Sequence, residues 1–131
     1  METRMIWANL AVKDLDRTFK FYTALGFKPN GEHNSDELCS FFFGKDQFVI
    51  HFFIEKQFKA AAKLDGTELQ NGNEIIFSLS AESREAVDAW LERVKAAGAT
   101  IYSEAAAFEK GYTFGFSDPD GHKFNVLFWP A

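Results

Sequence analysis

The chain has 131 residues, 47% of them hydrophobic and 17% aromatic, with a net charge of −5. That length suits one compact domain, able to bury about two thirds of its unfolded surface. The negative charge argues against nucleic acid and anionic membrane surfaces as partners, because both are recognised through clustered Lys and Arg.

In chain order, Met1 to Arg4 reads as the approach to a strand rather than a signal peptide. Met5 to Val12 is predicted to be that strand, and Asp14 stands where a helix N-cap belongs. Leu15, Thr18, Phe19, Tyr22 and Leu25 then recur at helical spacing, and Gly26 supplies a left-handed stop. Strand material follows at Phe41 to Phe43 and Phe48 to Phe53, on either side of the polar turn Gly44 to Gln47. These two apolar runs read as edge strands, suited either to an interface or to an ordinary core. The run Phe48 to Ile54 is interrupted by His51 and is too short to span a bilayer. Cys39 is the only cysteine, which excludes an internal disulfide and fits a reducing cytoplasm.

The second half repeats the plan. Glu74 to Leu79 is a predicted strand, Ser83 an N-cap, and Val87, Trp90, Leu91 and Val94 a helical stripe ending at Gly98. Laying Val12 on Leu79 aligns the halves at an offset of 67 and puts Trp7 on Glu74. The helix glycines lie further apart than that, so the second helix is expected to be about one turn longer. Tyr112 to Phe116 and Lys123 to Trp129 flank Asp118-Pro119-Asp120-Gly121, a type I turn sequence in which both Asp side chains are expected to cap backbone groups. Residues 28 to 37 and 99 to 111 are each expected to add one short strand. The organisation is therefore one domain of two βαβββ modules, about 1–54 and 73–131, joined by a polar linker, 55–72, whose first part has helical character.

Residues 10 to 27 (a strand end, a capped helix and a glycine stop) together with residues 114 to 129 (a hairpin closed by a proline turn) resemble the glyoxalase, bleomycin-resistance and extradiol-dioxygenase superfamily, the vicinal oxygen chelate fold. The resemblance spans nearly the whole chain. It implies an α+β fold whose two modules curl their sheets into one open cup, with helices outside and four inward positions able to hold a divalent metal. It also implies a homodimer, on fold analogy alone.

Period-two alternation turns Ala8, Leu10 and Val12 toward the helices and leaves Trp7, Asn9 and Ala11 facing the cup. The same rule points Glu74, Ile76 and Ser78 inward, and Asn125, Leu127 and Trp129 on the last strand. Carried onto this chain, the metal positions hold poor ligands. Where metal-dependent relatives place a histidine on the first strand stands Trp7, whose indole nitrogen only donates. Where they place a glutamate, in Gly-His-x-x-Glu-Val, stands Asn125 of Gly121-His122-Lys123-Phe124-Asn125-Val126. The remaining position falls on Ile50 or His51, and a one-residue slip decides which faces the cup. Glu74 and His51 are the two good ligands left.

Two functional readings follow. In the first, a cofactor-free protein binds a small apolar, aromatic or cationic molecule, as the antibiotic-sequestering bleomycin-resistance branch does. Trp7 and Trp129 supply stacking surface, Asn9, Ser78 and Asn125 hydrogen bonds, and Glu74 attraction for a cation, with Ile76 and Leu127 completing the lining. In the second, a metal-dependent lyase or dioxygenase uses His51, Glu74 and a divalent ion that polarises a substrate oxygen. His122 and His33 read as a turn residue and a solvated loop residue. Tyr22 and Tyr112 are open to either ligand contact or packing. No phosphate loop, Cys-x-x-Cys pair or nucleophile elbow is present in the sequence.

Overall fold

The computed structural model describes residues 1–31, 34–64, 69 and 75–130. The chain divides into two compact units, Met1–Glu68 and Leu69–Ala131.

In the first unit, strand β1 (Trp7–Val12) leads into helix α1 (Leu15–Ala24), and Asp14 caps it by accepting from the Arg17 amide. Strands β2 (Lys28–Pro29), β3 (Leu38–Phe43) and β4 (Phe48–Ile54) follow, and then helix α2 (Glu55–Ala62). The strand order is β1-β4-β3-β2, with β1 and β4 parallel and the other pairs antiparallel. Strands β3 and β4 are therefore interior, which corrects their reading as edge strands. Their apolar runs belong to an ordinary core. Val12, Tyr22, Phe41, Ile50 and Phe52 are almost fully buried between α1 and one face of the sheet, and Tyr22 stacks on Phe52 with ring centroids 4.6 Å apart. Cys39 is buried in this unit, and burial pushes its thiol up to about 12.

The second unit repeats this arrangement. Strand β5 (Ile76–Ala81) precedes helix α3 (Arg84–Ala96), capped by Ser83, whose hydroxyl accepts from the Ala86 amide. Strands β6 (Thr100–Phe108), β7 (Gly111–Ser117) and β8 (Lys123–Phe128) complete a sheet in the order β5-β8-β7-β6. Again the first and last strands pair in parallel. Val87, Leu91 and Val94 of α3 are buried, as are Phe114, Phe116, Phe124 and Val126 of the sheet, and the Phe116 and Phe124 rings stack at 5.2 Å. Both helices stop at a glycine with positive φ, Gly26 at 95° and Gly98 at 92°. Helix α3 has 13 residues against 10 in α1, close to the extra turn expected.

This is the α+β architecture of two βαβββ modules, with three further differences from the sequence-based expectations. Strand β6 is nine residues long rather than short, with register shifts against β7 between Ile101 and Ser103 and between Ser103 and Ala106. Residues 55–62 are more than a connector, because α2 packs on β1 and β4. The modules superimpose at an offset of 69 rather than 67, with Trp7 on Ile76, Val12 on Ala81 and Asp14 on Ser83. No helix among the described residues is long and apolar enough to cross a membrane.

Candidate functional site

Each sheet has one face against its principal helix and one turned away, and strand register assigns each candidate within a described strand to a face; Trp129 follows the end of β8. In the first unit, Trp7 pairs with Val49, Asn9 with His51 and Ala11 with Phe53. Across the next ladder His51 pairs with Ser40 and Val49 with Phe42. Ile50 is 1% exposed, on the core face between Ala8 and Phe41. His51 therefore lies on the face of Trp7 and Asn9, which resolves the one-residue ambiguity in register. Trp7 is 52% exposed, and Asn9 is also exposed.

Helix α2 lies against this second face. Phe58, Ala61 and Ala62 bound a hollow of about 310 Å³ whose other walls are Asn9 and Phe53. The sequence reading missed these helix residues, although their spacing at i, i+3 and i+4 was visible as one stripe of a helix.

In the second unit, Ser78 pairs with Asn125 and Ile76 with Lys123, while Leu127 lies between Ser80 and Thr113. Ile76 and Ser78 are exposed, and Asn125 and Leu127 are half-buried. The Asn125 Oδ1 is buried with no hydrogen-bond partner. Trp129 lies against the backbone of Gly111 and beside Phe108, with ring centroids 6.3 Å apart. Here the second face is partly filled by Tyr102. Its ring packs on Gly115, its hydroxyl donates to the Phe124 carbonyl at 3.1 Å, and the Lys123 ammonium sits 5.0 Å above it. Burial raises the Tyr102 phenol above its ordinary value.

Glu74 and His33 lie outside the described residues. The offset of 69 also changes what Glu74 stands for, because the repeat partner of Trp7 is Ile76. By that superposition the positions implied for a metal carry an indole and an imidazole in the first unit, Trp7 and His51, and an alkyl chain and a carboxamide in the second, Ile76 and Asn125. Of these side chains only the imidazole is a usual ligand for a divalent ion, which needs three or four imidazole or carboxylate ligands. Among the described residues no three His, Cys, Asp or Glu side chains lie together in a way that could hold one.

The remaining candidates are structural. Asp118 is buried, and its Oδ1 accepts from the amides of Asp120 at 3.0 Å and His122 at 2.8 Å, while its Oδ2 lies 2.7 Å from His122 Nδ1. This clamp fixes the turn and holds His122, as its position in the sequence suggested. Tyr22 is fully buried in the core. The Tyr112 hydroxyl donates to Asp88 at 2.8 Å, a bond that raises the phenol, and Arg84 lies 5.4 Å over its ring. Tyr22 thus packs within the core, and Tyr112 is held by Asp88 and Arg84.

The model of the Glyoxalase/Bleomycin resistance protein/Dioxygenase superfamily matches residues 4–126. Among solved structures, hypothetical protein SA1046 from S. aureus is 31% identical over 98% of this chain and 96% of that one, with a TM-score of 0.85. A family member described as an enzyme from Burkholderia phytofirmans is 19% identical over 93% and 95%, at 0.81. The fosfomycin resistance protein FosX from Listeria monocytogenes is 22% identical over 100% and 94%, at 0.73. At these lower identities the likeness is one of fold alone. No curated protein matches the chain.

Proposed function

The chain belongs to the Glyoxalase/Bleomycin resistance protein/Dioxygenase superfamily, and from that premise we propose that it binds a small molecule with an apolar or aromatic body and does so without a resident metal. The observation that carries this reading is the residue types each module presents at the positions the superfamily resemblance assigns to a metal: an indole and an imidazole, Trp7 and His51, in the first, and an alkyl chain and a carboxamide, Ile76 and Asn125, in the second. They offer one imidazole where metal chemistry needs several ligands, and stacking or hydrogen-bonding surface at the other positions. The exposed rings of Trp7 and Trp129 support it, since large apolar surface left in water on a small protein marks a binding face. A net charge of −5 adds a weak attraction for a cationic group. Sequestration, the mode of the bleomycin-resistance branch, is the biological form this binding takes. We extend the proposal to a homodimer in the cytoplasm, resting on fold analogy and on the single buried cysteine.

The test is thermal. Chelator-treated protein is melted with nickel, zinc, manganese or ferrous iron, because an ion that binds only the folded state raises the midpoint by mass action. No shift with any ion is expected. A shift of several degrees with one ion, lost in Glu74→Gln or His51→Ala, would overturn metal independence and restore the lyase or dioxygenase reading. A second arm follows tryptophan fluorescence with aromatic and cationic probes. Saturable quenching that disappears in Trp7→Ala is the expected result, and sedimentation of the same samples reads the dimer.

A further inference from the structure

The second face of the second unit is covered by one side chain, Tyr102, and the backbone aims it there. Ile101 pairs with Phe116 and Ser103 with Gly115, so Tyr102 is an extra residue on β6 between two consecutive partners on β7. Such a bulge on an edge strand re-aims a side chain, and bulges gather beside functional sites. A second register shift, between Ser103 and Ala106, follows at once, whereas the other two ladders of this sheet run without one. The tyrosine is therefore carried by the least regularly paired stretch of the sheet.

The place it occupies has a definite chemistry. Its floor is Gly115, where any Cβ would meet the ring. At the far end the Phe124 carbonyl accepts from the phenol at 3.1 Å, and the Lys123 ammonium stands 5.0 Å over the ring. Floor and acceptor belong to β7 and β8, whose pairing is unbroken, so the slot keeps its shape when the tyrosine leaves. What fits it is a flat six-membered ring with one donor at its end, because such a group now lies there.

Closure is incomplete. Tyr102 remains 39% exposed while it lies on Gly115. Asn125 is the register partner of Gly115, and its Oδ1 is buried with no hydrogen-bond partner. Residues opposite one another stand about 5 Å apart on one face of a sheet, so this carboxamide neighbours the ring. A buried acceptor without a donor costs free energy, and the closed arrangement carries that cost.

We infer that Tyr102 is a built-in occupant of a ring-sized site in the second unit, and that it swings off Gly115 to admit a neutral phenol. The incoming ring takes the Gly115 floor, its hydroxyl donates to the Phe124 carbonyl, and the Asn125 carboxamide opens to the ligand or to water. Apparent affinity is then lower than intrinsic affinity by the fraction of molecules in which the tyrosine is out. This deepens the proposed binding role and rests on it.

The experiment is an NMR titration of the full chain with p-cresol, which is the tyrosine side chain as a free molecule, and with 4-methylanisole, which has the same ring and no donor. In the wild-type chain p-cresol is expected to make contacts with the Gly115 backbone while the Tyr102–Gly115 contacts fade. Tyr102→Phe keeps the ring but not its bond to the Phe124 carbonyl, and should bind p-cresol about three- to tenfold more tightly than wild type. Tyr102→Ala should bind it about ten- to a hundredfold more tightly. Adding Gly115→Ala to Tyr102→Ala should abolish binding, because the methyl group takes the floor. In Tyr102→Ala, 4-methylanisole should bind about fivefold more weakly than p-cresol. Tyr102–Gly115 contacts that persist while p-cresol saturates the wild-type chain would overturn the site and leave binding elsewhere on the protein standing. Equal p-cresol affinity in the wild type and both tyrosine variants would overturn the displacement of Tyr102. Equal affinity for 4-methylanisole would overturn the part given to the Phe124 carbonyl. Binding of p-cresol to none of these proteins would overturn the inference, and the tryptophan fluorescence titration would then judge the binding role by itself.

Discussion

Tyr102 and Gly115 fit together as ring and floor: a Cβ at residue 115 would stand 2.6 Å from the Tyr102 Cε1 and 2.7 Å from its hydroxyl oxygen. No side chain other than hydrogen leaves room for the ring. Gly115→Ala is therefore expected to displace Tyr102, break its bond to the Phe124 carbonyl and cost about 1–3 kcal/mol. Urea unfolding measures the loss. In a Tyr102→Ala background the same substitution should cost much less, and an unchanged cost would show that the ring is not what fills the site.

Neighbouring phenylalanines on β4 should behave differently. Phe52 is fully buried and stacked on Tyr22, so Phe52→Ala is expected to cost about 3–5 kcal/mol. Phe53 is half-buried on the opposite face, where it walls the hollow, and its truncation should cost about 1–2 kcal/mol. Denaturant midpoints and probe affinity read the two effects. Phe52→Ala should lower stability alone, and Phe53→Ala should lower mainly affinity.

Asp118 holds three contacts in the turn after β7, and removing its carboxylate leaves two amide donors and an imidazole without their acceptor. Asp118→Ala is expected to cost about 2–4 kcal/mol, and Asp118→Asn less, because an amide oxygen can still serve the Oδ1 bonds. His122→Ala should destabilise by about 1 kcal/mol and leave probe binding unchanged. A loss of binding in His122→Ala would return this histidine to the functional site.

The Cys39 thiol is held protonated by burial, up to about 12 against an ordinary value of 9.0. Its unfolded counterpart ionises first, so its contribution to stability is present below about pH 9 and is lost as pH rises toward 12. Unfolding free energy should fall across that window and fall less in Cys39→Ala. A thiol reagent at pH 8 should label the chain only as fast as it opens.

Much of this architecture was legible from local chemistry. The caps at Asp14 and Ser83, the stops at Gly26 and Gly98 and the alternation of Trp7 and Asn9 with less exposed neighbours each depend on a few adjacent residues. What was not legible depends on partners distant in sequence. Strands β3 and β4 read as edges because nothing in their apolar runs announces that β1 will pair beside β4 and β2 beside β3. Strand β6 was underestimated because Glu104-Ala105-Ala106-Ala107 has little intrinsic strand preference and is held by pairing with β7. The offset of 67 erred by two residues, which preserves the facing of every side chain but replaces Ile76 by Glu74 as the partner of Trp7. The close fit of Tyr102 to Gly115, and the packing of α2 on its own sheet, are tertiary facts without a local signature.

The parallel pairing of first with last strand in each module also governs the order in which the chain can fold. Hairpin β3–β4 closes through the short turn at Gly44 to Gln47, and β7–β8 through the Asp118 turn, both fast local events. Trp7 and its partner Val49 are about forty residues apart, as are Ile76 and Lys123 to similar measure, so β1 and β5 must wait for chain that has not yet left the ribosome. In each half of this protein the first strand made is among the last to be secured.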